Sequence, residues 1–266
     1  MQRVLITGAA GSIGSRMRRL LAGRYPVMRL SDTGPLGPAG PGEEVDQTDL
    51  ANPDACLTMC DGVDGILHFG GISGEAPWPD ITRNNIQGQI NLFEAARRQG
   101  VQRMMIATSN HAVGFYRRDQ RIPHDVTPLP DSRYGVSKAF GELLGALYAH
   151  RYGMRVLCVR IGNVTDEPVD RRRLSIWISP RDMSQMCRIA MEHPDLRFEI
   201  VYGVSNNSRS FYDNANAFRL GYAPEDSSDD FAEDVLAREP ELDPTDPAEI
   251  HQGGSFVHDP DEQASS

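Results

Sequence analysis

The sequence predicts an α/β fold, a doubly wound parallel sheet with helices on both faces. Three observations carry that expectation. Apolar, β-branched runs alternate with helical stretches six times through residue 160, with no internal repeat. The first run passes at once into a glycine-rich turn, Gly8-Ala-Ala-Gly11-Ser12-Ile13-Gly14, that opens a helix. The 266 residues are enough for one large domain with a full core.

The elements follow in order. Arg3 to Thr7 is the first strand, and Ser15 to Ala22 reads as the first helix. Between them Gly8 permits a tight turn, Gly11 lets backbone approach a pyrophosphate, and Gly14 lets helix pack on strand. Ser12 and Ile13 belong to the turn and are read as cofactor-binding, and the helix N-terminus supplies N–H donors and a positive dipole end. This is the context of a dinucleotide site. The second strand, Val27 to Leu30, ends at Asp32. A carboxylate there accepts from ribose hydroxyls and repels a 2′-phosphate, so NAD is expected over NADP. Thr33 to Glu43 is a Gly/Pro-rich loop, and a short third strand precedes Asp49 and Leu50, placed to flank an adenine. A helix from Pro53 to Cys60 leads to the fourth strand, Gly65 to Phe69. The loop Gly70-Gly-Ile-Ser73 then lies at a strand's carboxyl end, where open α/β sheets bind ligands. A long helix from Asp80 to Gln99, entered through Thr82-Arg-Asn-Asn85, precedes the fifth strand, Met104 to Ala107. That strand ends in Thr108-Ser109-Asn110-His111, and a helix from Tyr134 to about Tyr152 returns through the sixth strand, Arg155 to Arg160.

After Ile161-Gly162-Asn163 the rhythm breaks. Polar loops surround a helix from about Pro180 to Met191 and a strand from Arg197 to Tyr202. No linker separates this part. The chain is therefore read as a single domain, 1–163 mainly nucleotide-binding core and 164–266 mainly a small substrate cap and tail.

Within the Tyr134 helix, Tyr134-Gly-Val-Ser-Lys138 stands out because Lys138 is the only lysine beside 26 arginines. Four residues put the phenol and the ammonium on one helical face. An unperturbed Tyr titrates near ~10, so a base at neutral pH needs a fall of roughly 2–3 units. A fixed cation is one way to obtain it.

Composition excludes other classes. The last 44 residues carry fourteen Asp/Glu against one Arg, a net of −13, which leaves the first 222 at about +3. That balance argues against nucleic acid or an anionic membrane as partner. No apolar run approaches the ~20 residues of a membrane span. Met1-Gln2-Arg3 runs directly into a strand without a signal-peptide pattern, so a cytoplasmic protein is expected. Cys56, Cys60, Cys158 and Cys187 lack paired metal-ligand spacing and read as reduced packing thiols, with no metal expected. Trp78 and Trp177 read as packing residues. A homo-oligomer is expected.

The residues gathered here, Gly8, Gly11, Gly14, Ser109, Tyr134 and Lys138, resemble the signatures of the extended short-chain dehydrogenase/reductase superfamily (T-G-x-x-G-x-x-G, an upstream Ser/Thr and Y-x-x-x-K). The resemblance implies a Rossmann-type fold and a Tyr134 base. It also implies that Lys138 lowers the Tyr134 pKa and holds the nicotinamide ribose, and that Ser109 binds the substrate oxygen. Longer stretches are similar to the uronate dehydrogenase family. They are Gly70 to Ser73, Ser109 to His111, Tyr134 to Lys138, Val159 to Gly162, Leu174 to Trp177 and Gln252 to Val257. In that family NAD oxidises glucuronate or galacturonate at C1 to an aldaric acid lactone. The resemblance implies sugar contacts from Ser73, Ser109, Asn110 and His111, a carboxylate contact from Arg172, and a pocket wall at Phe256. The family pattern has a serine after Ile-Gly where this chain has Asn163, which can still donate to a sugar oxygen. By residue type alone, Arg171 to Arg173 fits a solvated run, a diphosphate site or a carboxylate site. A nucleotide-sugar epimerase or reductase would use the same core, and a non-catalytic NAD sensor would need only the glycine turn.

Overall fold

The computed structural model describes residues 1–258. Strand β1 (Arg3–Thr7) leads through the glycine turn into α1 (Ser12–Leu20), then β2 (Val27–Ser31) and β3 (Glu43–Asp46). Helix α2 (Pro53–Met59) and β4 (Gly65–His68) follow. The stretch expected as one long helix is three: α3 (Trp78–Ile81), a π-helical segment over Thr82–Gln87, and α4 (Gly88–Arg98). Then come β5 (Arg103–Ser109), a 3₁₀ turn over Asn110–Val113, α5 (Arg133–Tyr152) and β6 (Arg155–Ile161). Short β7 (Asn163–Val164) pairs with β8 (Trp177–Ile178) around α6 (Arg173–Ile176), and α7 (Pro180–Glu192) leads to β9 (Phe198–Gly203).

The main sheet is parallel throughout, in the order β3-β2-β1-β4-β5-β6-β9. Alternation along a strand builds its two faces. On β5, Met105 and Ala107 join the cluster with Met17, Met183 and Cys187, which seats α1 and α7 on one side. Met104 and Ile106 join Met59, Leu92, Phe93 and Tyr148, which seats α2, α4 and α5 on the other. The fold is doubly wound, as expected. Residues 180–203 depart from the cap expected for them. Met183, Met186, Cys187 and Ala190 recur at helical spacing and bury against the sheet, and β9 pairs with β6 as the seventh strand. A cap-like layer over the carboxyl edge is left to the segments before α7 and after β9. All four cysteines are free and buried, and burial pushes the Cys56 and Cys60 thiols up to about 12, which fits packing. No group of three or more His, Cys, Asp or Glu among the described residues could hold a metal.

The π segment has a structural consequence. Its wider turn aims Asn85 inward, where Oδ1 accepts from Ile72 N at 2.7 Å and Nδ2 donates to Ile72 O and Ser137 Oγ, both at 3.0 Å. One buried amide thereby pins the Gly70–Ser73 loop to α5.

Candidate active site

Two cavities run together along the carboxyl edge of the sheet. The first, about 540 Å³, is lined by the glycine turn, Asp32, Asp49, Leu50 and the Gly70–Ser73 loop. Its floor depends on absent side chains. A Cβ at Gly14 would lie 2.1 Å from Gly8 O, and Gly8 has φ +69°, so both positions demand glycine. Asp32 closes the end of β2, where Oδ2 accepts from Ala10 N and Oδ1 from Gly34 N, each at 2.9 Å. Those two bonds hold the carboxylate at the cavity wall. Asp49 accepts from Ala51 N at 2.9 Å and pairs with Arg83 at 2.6 Å, so its charge is partly spent on the protein. Glycine turn, helix N-terminus and fixed acid together suit a dinucleotide.

The second cavity, about 630 Å³, shares Ser12, Ile13, Phe69, Gly71, Ile72 and Ser73 with the first. It is lined by Ser109, His111, Tyr134, Lys138, Asn163, Arg172 and Phe256. Helix α5 delivers Tyr134 and Lys138. It starts at Ser132, whose side chain accepts from Gly135 N, and Glu75 accepts from Tyr134 N at 3.0 Å, so two acceptors sit on the helix N-terminus. Ser109, at the end of β5, accepts from His111 N at 3.1 Å and sits beside the Tyr134 phenol, whose pKa it lowers. Lys138 Nζ donates to Ala107 O at 2.9 Å and lies 5.3 Å from the Tyr134 ring centroid.

The expected fall in the Tyr134 pKa is not a property of the chain alone. Burial pushes the phenol up to about 12, and Ser109 offsets only part of that. Burial also lowers Lys138 to about 8, so the ammonium is itself costly to keep charged. Spacing brings the cation to the phenol but says nothing about the desolvation of both.

Arg172 lies at the cavity wall, its Nε donating to Gln252 O at 2.8 Å. No carboxylate among the described residues is within ion-pair distance of it, and burial lowers its pKa to about 10, still charged at neutral pH. Its neighbours Arg171 and Arg173 are committed elsewhere, to Pro240 O and Asp170. His111 stacks on Phe256 with ring centroids 3.9 Å apart. Asn163 lines the cavity while its Oδ1 accepts from Thr165 Oγ1 at 2.8 Å. Asn110 lies behind the wall. It is fully buried, with its amide 2.9 Å from the Gln252 side chain, 3.1 Å from Ile161 O and 3.0 Å from Arg172 Nη2. Its place supports Arg172 rather than exposing an amide to a ligand. Sequence reasoning missed Asn85, Asp131 and Gln252, each buried and each bonded to a segment remote in the chain.

A parallel sheet with a glycine-turn nucleotide groove and a Ser–Tyr–Lys cluster beside it defines a nucleotide-dependent oxidoreductase of the short-chain dehydrogenase/reductase class. The model of the NAD dependent epimerase/dehydratase family matches residues 4–179. A uronate dehydrogenase from Pseudomonas syringae pv. tomato is 44% identical, covering 96% of this chain and 93% of that protein. The crystal structure of glucuronic acid dehydrogenase from Chromohalobacter salexigens is 43% identical with a TM-score of 0.94, covering 96% of each chain. That of an Agrobacterium tumefaciens uronate dehydrogenase, a tyrosine-to-alanine variant complexed with NAD, is 42% identical, again at 0.94, covering 98% of each. This chain belongs to the NAD dependent epimerase/dehydratase family and, within it, to the uronate dehydrogenases.

Proposed function

We propose that this chain oxidises a free hexuronic acid, glucuronate or galacturonate, at C1 to the aldaric acid lactone, with NAD as hydride acceptor. The observation that carries the reading is Arg172, a half-buried guanidinium with no anionic partner among the described residues, on the wall that also holds Ser109 and Tyr134. A substrate carboxylate supplies the missing charge through charge-assisted hydrogen bonds and turns C1 toward the Ser109–Tyr134 end. The glycine turn, Asp32 and Lys138 would hold NAD, and the fixed Asp32 carboxylate favours it over a 2′-phosphorylated form. The chemistry that bound NAD supplies is hydride acceptance, with a positive charge on its oxidised ring.

The chain's own groups manage the proton. Ser109 Oγ orients the anomeric hydroxyl, and Tyr134 Oη takes its proton as the C1–H electron pair leaves and the carbonyl forms. With the phenol held near 12, phenolate must be drawn out by the cations around it, and Lys138 is the one this chain provides. Ser73, His111 and Asn163 would meet sugar hydroxyls while Phe256 closes the wall. A cytoplasmic setting, where NAD is supplied, suits this chemistry, and no helix among the described residues is long and apolar enough to cross a membrane. Exposed Val136, Leu143 and Leu147 on one face of α5 support the expected homo-oligomer, which light scattering of Leu143→Arg against wild type would test.

The deciding experiment is NADH release with free uronic acids beside neutral aldoses and UDP-sugars. Turnover of uronates alone is expected, and turnover of UDP-sugars alone would overturn the reading. Tyr134→Phe should lower kcat by at least ~10²-fold, and near-normal turnover would remove it as the base.

A further inference from the structure

The proton chemistry leaves one buried pair unused. Asp131, on the loop before α5, has no exposed side-chain surface, and its Oδ2 lies 2.7 Å from His111 Nδ1. Oδ1 accepts from Ser132 Oγ at 2.8 Å. Two remote segments make room for this carboxylate. A Cβ at Gly114 would lie 1.8 Å from Asp131 Oδ2, and one at Gly253 would lie 2.0 Å from the same atom. The two glycines are joined by a bond from Gly253 N to Gly114 O at 2.9 Å. Neither position can carry a side chain while Asp131 faces His111.

The imidazole is fixed from its other sides as well. Phe256 stacks on it at 27°, and the Tyr134 ring meets it edge-on at 5.9 Å. An ionised carboxylate only accepts, so the nitrogen facing Asp131 carries the proton in the neutral ring. Burial lowers the His111 pKa, Asp131 opposes that in part, and Arg172 and Arg173 add to the lowering, so the ring is neutral at neutral pH. Nε2 is left with a lone pair on a residue that lines the substrate cavity.

We propose that Asp131 is a positioning residue that fixes His111 as a hydrogen-bond acceptor at Nε2, so that the cavity selects sugars bearing a hydroxyl donor at that point of the ring. The inference rests on the reading that a sugar acid occupies this cavity. A substrate lacking that hydroxyl leaves a buried acceptor unpaired, a loss of about 10–100-fold in kcat/KM.

The test pairs Asp131→Asn with a panel of monodeoxy uronates. Asparagine keeps the shape between the glycines and can donate to Nδ1, which moves the ring proton to Nε2. Wild type should lose about 10–100-fold on one deoxy analogue. Asp131→Asn should lose a similar factor on the parent uronate but no more than about twofold further on that analogue. Equal losses on the parent and every analogue, or a wild type indifferent to all of them, would overturn the proposal. Imidazole ¹⁵N spectra give a readout without turnover, the His111 signal being the one lost in His111→Gln. An unprotonated Nε2 is expected in wild type and a protonated one in Asp131→Asn. A protonated wild-type Nε2 overturns the proposal, whereas absent uronate turnover with the expected tautomers overturns the substrate reading alone.

Discussion

Two arginines near the same sheet edge, Arg160 fully buried and Arg172 half-buried, are treated by the protein in opposite ways. Arg160, on β6, is 1% exposed and grips Glu142 of α5 through two bonds of 2.8 and 2.9 Å. It also donates to His124 O and the Tyr202 hydroxyl, while Thr108 donates to Glu142. Burial alone would lower its pKa, but Glu142 outweighs burial and raises it. Arg172 is half-buried, meets carbonyl and amide partners and no carboxylate among the described residues, and desolvation lowers its pKa to about 10. The first is a finished ion pair that locks α5 to the sheet. The second is a half-made one. Arg103 shows that a missing carboxylate alone marks no site, since it is buried with only Ala190 O and His193 O as acceptors, whereas Arg172 lines the cavity where the proposed substrate anion would complete the pair.

That contrast can be broken by experiment. Arg160→Met should cost about 3–5 kcal/mol of stability by urea unfolding, because it strands Glu142 in the core, and Arg160→Met with Glu142→Leu should recover most of it. A single-variant loss under ~1 kcal/mol would remove the distinction. Arg172→Met should act the other way. Uronate KM should rise about 10–100-fold, the worth of hydrogen bonds to a charged group, with stability unchanged or raised at pH 7–8. The sign follows from linkage. A basic group with a depressed folded pKa imposes its cost fully below that pKa, here about 10, and the cost is relieved as pH climbs toward the unfolded value. Unchanged KM would take Arg172 out of the carboxylate site. The last prediction concerns the cations around Tyr134. With Tyr134 near 12 and Lys138 near 8, kcat/KM should rise by up to about tenfold per pH unit between 6 and 8, then flatten as Lys138 loses its charge. A flat profile below pH 8 would mean that neither group limits the reaction.

What the sequence revealed and what it hid follow the same division between local and remote contacts. The glycine turn, Asp32 and the Tyr134–Lys138 spacing were legible because each is set by residues a few positions apart on one element. Ser109 entered only through the family resemblance, with its place at a strand end as context. Asn85, Asp131 and Gln252 were not legible, since each acts through partners brought close only by the finished fold. The Gln252 side chain reaches Asn110 across 142 positions of chain. Asn110 was expected as a sugar contact from the family resemblance, and a motif does not tell an amide on a cavity wall from one packed behind it. Helix α7 and strand β9 read as cap because periodicity gives an element's type and not the layer it joins. For a related reason the chain alone does not produce the fall in the Tyr134 pKa. Spacing reports the neighbouring cation, and desolvation depends on everything else around the ring.

The lone lysine has a consequence for handling this molecule. Apart from the terminal amine, the chain offers amine-directed reagents one target, Lys138, which is 8% exposed and lies inside the cavity with a pKa near 8. Near that pH about half of it is the free-base nucleophile. Acylation would therefore titrate active centres instead of decorating the surface, and bound ligand should slow it.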